Sequence, residues 1–130
     1  MLYLEETRDG SIKINLTRGD DAVIEVPLQN IDEEEYVLGE DEYLIFDVRA
    51  VPREDSELLI HITSIPGSSR IVFTHEDTVN LEPGQYSAEI QLITSDGKRI
   101  TIWPKPTGKY KTKDTANRKN FILMPEVVYS

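Results

Sequence analysis

Apolar residues in this chain recur at every second position, and no stretch keeps a 3.6-residue period over three turns. That alternation constrains the fold more than any other feature, because it makes half-buried strands and leaves little for helices. In SIKINLT, Ile12, Ile14 and Leu16 alternate with Ser11, Lys13, Asn15 and Thr17. In DAVIEVPL, Ile24, Val26 and Leu28 share a face, and Pro27 marks an edge strand or a bulge because it has no amide to donate. In YLIFDVRAV, Leu44, Phe46, Val48 and Ala50 point one way, Asp47 and Arg49 the other. In LLIHITS, Leu58, Ile60 and Ile62 oppose Leu59, His61 and Thr63; in RIVFT, Ile71 and Phe73 face inward. Gln85–Thr94 sets Tyr86, Ala88, Ile90 and Leu92 against Ser87, Glu89 and Gln91, and Arg99–Trp103 returns with Ile100 and Ile102 inward. FILMPEVVYS supplies a last strand with Phe121, Leu123 and Val127 toward the core. One helical turn near His75–Asn80 is the only helix expected. Seven or eight short strands, with turn signals every 8–12 residues or so, are the pattern of an all-β, antiparallel sandwich.

Three connections carry recognisable chemistry. LTRGDDAVIEVPLQN contains Arg18-Gly19-Asp20, the tripeptide that adhesion receptors read. Its local explanation is a hairpin turn: Gly19 accepts a positive φ, and aspartates bond back to turn amides. Asp96-Gly97 is a second hairpin signal, with both residues suited to positive φ. Leu81-Glu82-Pro83-Gly84-Gln85-Tyr86 places a leucine and a tight Pro-Gly turn before a tyrosine that opens a long strand. That is the form of a tyrosine corner, in which the phenol bonds to backbone a few residues upstream and locks a connection between two sheets.

The 130 residues suit one domain spanning 1–130. There is no cysteine, hence no disulfide and no thiolate metal site. The start, MLYLEETRDG, is too acidic and too short in apolar residues for a signal peptide, and no run reaches membrane-spanning length. The expectation is a soluble protein made in the cytosol, with no membrane partner. A net charge of −10 opposes binding to nucleic-acid phosphates. Charge is divided unevenly: residues 1–60 hold 17 acids and 5 bases (−12), whereas residues 61–130 hold 7 acids and 9 bases (+2). Such asymmetry orients subunits toward one another. NIDEEEYVLGEDEY has seven acids in fourteen residues, but not the spacing of a calcium loop, and reads as a solvated loop pinned by Ile31, Tyr36, Val37 and Leu38. PKPTGKYKTKDTANRKN, about 104–120, has six bases and one acid and reads as an exposed basic loop or arm.

Catalytic chemistry finds little footing. His61 has outward strand parity, and His75 stands beside Glu76 and Asp77, but no nucleophile elbow or His-x-x-x-His spacing accompanies them. Gly67, Gly84, Gly97 and Gly108 stand singly, so no phosphate loop is formed. We expect no catalytic residue, no cofactor and no metal. A glycan- or surface-ligand-binding module is the alternative, with Trp103, Tyr110, Tyr129 and Tyr36 as platform candidates, and Lys109, Lys111 and Lys113 as further contacts with a ligand or partner. Three of those aromatics grouped on one face would favour it.

INLTRGDDAVIEV, YLIFDVRAV and DTVNLEPGQYSAEIQLITSDGKRITI together resemble the immunoglobulin-like N-terminal domain of bacteriophage baseplate upper proteins and related tail components. The resemblance covers about residues 12–102. The family's Thr-x-x-Leu-x-Pro-Gly-x-Tyr corner falls on Thr78, Leu81, Pro83, Gly84 and Tyr86, and its turn on Arg18, Gly19 and Asp20. The long basic stretch 104–120 departs from the family, which passes quickly from the Asp-Gly hairpin to its last strand. The resemblance implies an immunoglobulin-like sandwich acting as a non-catalytic virion structural or assembly module. Its partners would be proteins, either itself or other phage subunits.

Overall fold

The computed structural model describes residues 1–6, 12–29, 34–51, 56–104 and 119–126. They form β1 (Leu2–Glu6), β2 (Ile12–Thr17), β3 (Ala22–Glu25), β4 (Tyr43–Arg49), β5 (Leu58–Thr63), β6 (Arg70–Phe73), α1 (His75–Thr78), β7 (Gly84–Ile93), β8 (Arg99–Trp103) and β9 (Phe121–Met124). The described residues are all-β apart from the single turn α1. Among the described residues there are nine strands, more than the seven or eight expected. The addition is β1, whose LYLEE has little alternation to reveal it.

Two sheets result. The larger runs β1-β2-β9-β7-β4-β5, with β8 on the other half of the long strand β7; the smaller is the β3–β6 pair. The expectation of a wholly antiparallel arrangement is corrected at one place. β2 runs parallel to β9, with Ile14 opposite Phe121 and Leu16 opposite Leu123, so the larger sheet is mixed. The hairpin expected between β2 and β3 is also corrected. β2 pairs with β1 and β9, whereas β3 pairs with β6. The Arg18-Gly19-Asp20 turn therefore carries the chain from one sheet to the other. Local alternation specifies a strand and its faces but not its neighbour.

The sheets meet through one core that includes Ile14 and Leu16 of β2, Ile24 of β3, Leu44, Phe46 and Val48 of β4, Ile71 and Phe73 of β6, and Phe121 and Leu123 of β9. All three phenylalanines lie there, one each from β4, β6 and β9. Phe46 meets Phe73 edge-on, with centroids 5.3 Å apart, and Phe121 completes the cluster at 5.9 and 6.2 Å. Such geometry adds about 0.5–1.5 kcal/mol per pair beyond burial. Ile100, expected inward, is exposed: it lies beside the core residue Leu92, but among the described residues β8 has a neighbouring strand on one side only.

Asn120 corrects a further expectation. It closes the segment read as an exposed arm, yet it is only 2% exposed. Its side-chain oxygen accepts from the Ala88 amide at 2.7 Å, and its Nδ2 donates to the Ala88 carbonyl at 2.9 Å. The Asn120 amide donates to the Tyr86 carbonyl, and its own carbonyl accepts from Ile14. One amide side chain thus continues the β7–β9 ladder where β9 has not yet begun. Lys119 donates to the Ala50 carbonyl at 2.5 Å. No helix among the described residues is long and apolar enough to cross a membrane.

Candidate functional site

Two of the three motifs, the Arg-Gly-Asp turn and the tyrosine corner, meet at one end of the molecule. Gly19 has φ +82°, and its amide donates to Thr78 Oγ1 at 2.7 Å. Thr78 is fully buried at the end of α1. His75 Nδ1 donates to the Gly19 carbonyl at 2.7 Å, and the His75 amide donates to Asp21 Oδ1 at 2.8 Å. Asp77 closes the start of α1 by accepting from the Thr74 amide at 2.7 Å. Arg18 donates through Nε to Glu126 Oε1 at 3.0 Å and through Nη1 to the Leu81 carbonyl at 3.4 Å. Asp20 pairs with the Met1 amino group. Every member of the Arg-Gly-Asp tripeptide is therefore tied to α1, to the segment before β7 or to a chain end. These contacts give the tripeptide an internal role, although the Arg18–Glu126 and Asp20–Met1 pairs are open to solvent.

The corner lies beside this cluster. The Tyr86 hydroxyl donates to the Glu82 carbonyl at 2.5 Å, the backward bond that a tyrosine corner requires. Partial burial raises the phenol's pKa, assisted by the neighbouring Glu82 carboxylate, so the donor stays protonated. Leu81 packs against the core. β7 already begins at Gly84, so Pro83-Gly84 leads into the strand and is not a separate tight turn.

At the other end of β7, Glu42 gathers three loops. It is 6% exposed. Its Oε1 accepts from the Tyr36 hydroxyl at 2.5 Å and from the Gly39 amide at 2.9 Å, and its Oε2 accepts from the Ser95 amide at 3.3 Å. Its backbone carbonyl accepts from Gly67. The Tyr36 bond above all, then the Gly39 amide, holds this carboxyl below its ordinary range; the same bond raises the Tyr36 phenol. The parity of Leu44, Phe46 and Val48 includes position 42, a signal for burial that the surrounding acidic run obscured. The adjacent hairpin uses Gly97 at φ +84° with the Gly97 amide on the Thr94 carbonyl, a loop closed by one left-handed residue at its end.

Of the remaining candidates, Trp103, Tyr36 and His61 lie among the described residues. Trp103 is partly buried against the core, and Tyr36 has its hydroxyl on Glu42. Tyr110, Tyr129, Lys109, Lys111, Lys113 and Val127 lie outside the described residues. His61 faces outward as expected, and its Nδ1 donates to Asp47 Oδ1 across β4 and β5 at 2.5 Å. Among the described residues, no group of three or more His, Cys, Asp or Glu is placed to hold a metal ion. No protein-family model matches the chain, and neither curated proteins nor solved structures yield a match.

Proposed function

We propose that this chain is an immunoglobulin-like sandwich serving as a non-catalytic assembly module, joining protein subunits as the tail and baseplate components it resembles do. Topology supports the fold. In such domains strands B and E share one sheet, and C, F and G share the other, with the corner tyrosine near the start of F. Here β3 and β6 take the places of B and E, and β4, β7 and β9 those of C, F and G, with Tyr86 near the start of β7. In this reading β5 adds beside C, and β2 lies along G, which accounts for the parallel pair.

The observation that carries the functional part is the division of charge, −12 over residues 1–60 and +2 over residues 61–130. Acidic groups from the first sixty residues of one copy then meet basic groups from the remainder of the next, a contact that salt screens. Sedimentation velocity at about 50 and 500 mM salt tests it, a range over which the Debye length shrinks by roughly threefold. Association that weakens as salt rises is the expected result. A monomer at both salts and at high protein concentration would remove self-assembly from this reading.

A further inference from the structure

We propose that the open edge of β1 pairs with the open edge of β8 of a second copy, so that sheets join head to tail. This rests on the assembly reading above and names its contact.

Both edges are free of partners among the described residues: β1 pairs only with β2, and β8 only with β7. The ladders show which backbone groups point outward. The Thr17 amide donates to the Met1 carbonyl, so Met1, Tyr3 and Glu5 turn their polar backbone toward β2, and Leu2, Leu4 and Glu6 turn theirs away. The Thr94 amide donates to the Lys98 carbonyl, so Lys98 and Ile100 face β7, and Arg99 and Thr101 face away. An antiparallel pair must set outward residues opposite one another. One such register places Glu6 opposite Arg99 and Leu4 opposite Thr101.

Side chains favour that register. On one face Glu6 meets Arg99 directly, and Leu4 lies against the Thr101 methyl. On the other, Glu5 lies opposite Ile100 with Lys98 on its diagonal, and Tyr3 lies diagonal to Ile100; the bulge of β8 at Ile102 ends the regular register there. Leu4, Tyr3 and Ile100 are 55%, 44% and 45% exposed, and all three gain neighbours. Leu4 is open because the second layer sits at the opposite side of the sheet, where β6 packs beside β5. Opposite Leu4, Ile14 is already core. Two β1 strands paired with each other around Leu4 would place four glutamates and no cation at the seam, so the strand disfavours its own kind. β8 brings Arg99, with Lys98 just before it. The contact uses different patches on the two copies, so it closes a ring or extends a filament.

Because the chain has no cysteine, single thiols report the pairing directly. Leu4→Cys and Thr101→Cys proteins, mixed under mild oxidation, should give a mixed disulfide dimer well above either self-crosslinked product. Equal or dominant self-crosslinking of Leu4→Cys, or no crosslink at all, overturns the proposal. Leu4→Pro removes an outward amide and no β1–β2 bond, and should weaken self-association of the otherwise native chain by about tenfold or more. If its melting temperature stays near that of the native chain and association is unchanged, the edge contact is wrong while salt-sensitive assembly through another surface stands. If the native chain never associates, the edge contact falls together with self-assembly.

Discussion

Single residues decide more of this structure than their types suggest. Glu42 belongs to a run of acids, yet it is buried with two amides and a phenol on its carboxylate. Its pKa lies below the ordinary value of about 4.3, so its contribution to stability is present above that pH. That contribution is lost as pH falls through the depressed folded value. Tyr36 carries the opposite shift: its raised pKa keeps the donor intact below about pH 10 and loses it only above. Glu42→Gln should therefore be less stable at neutral pH and lose less stability between about pH 5 and pH 3 than the native chain. Urea unfolding across that window checks it, and parallel curves for the two proteins would refute the coupling. Position 42 shares the parity of Leu44, but the acidic run around it masked that signal, and nothing local says that Tyr36 and Gly39 will return to meet it. Asn120 is the same lesson without a parity clue. Its partners on Ala88 lie 32 positions away.

Among the elements, the connections are more specific than the strands. The Arg18-Gly19-Asp20 turn shifts the chain between sheets, and Gly19 does so at φ +82° with His75 Nδ1 3.3 Å from where a Cβ would stand. Gly19→Ala combines left-handed strain of roughly 1–2 kcal/mol with that close approach. The expected result is a melting temperature lowered by several degrees with an unchanged far-ultraviolet spectrum. A variant as stable as the native chain would show that the turn relaxes freely. The turn's residues are visible in the sequence as turn formers, and Tyr86 as a corner. What joins them, the buried Thr78 hydroxyl under the Gly19 amide, has no local signature.

For the molecule as a whole, stability centres on the contact between two sheets of unequal width. Phe73 is the main aromatic that the two-stranded layer contributes, and it touches Phe46 and Phe121. Phe73→Ala should cost about 3–5 kcal/mol, since it removes the ring and leaves a cavity between layers. Chemical denaturation measures this directly; a loss below about 1 kcal/mol would mean that the layers are held elsewhere. The same unequal width leaves the core side of β1 open, so Leu4 stays available to the proposed edge contact.

Alternating apolar side chains determined by themselves that the chain is built from strands, which face of most strands is buried, and where turns fall, because those properties depend on backbone geometry within a few residues. Tertiary structure alone decided which strands pair. It laid β2 parallel to β9, sent β3 across to β6, and enclosed Glu42 and Asn120. Pairing is settled by groups far apart in sequence, which satisfy one another's hydrogen bonds only once both layers have closed over a common core.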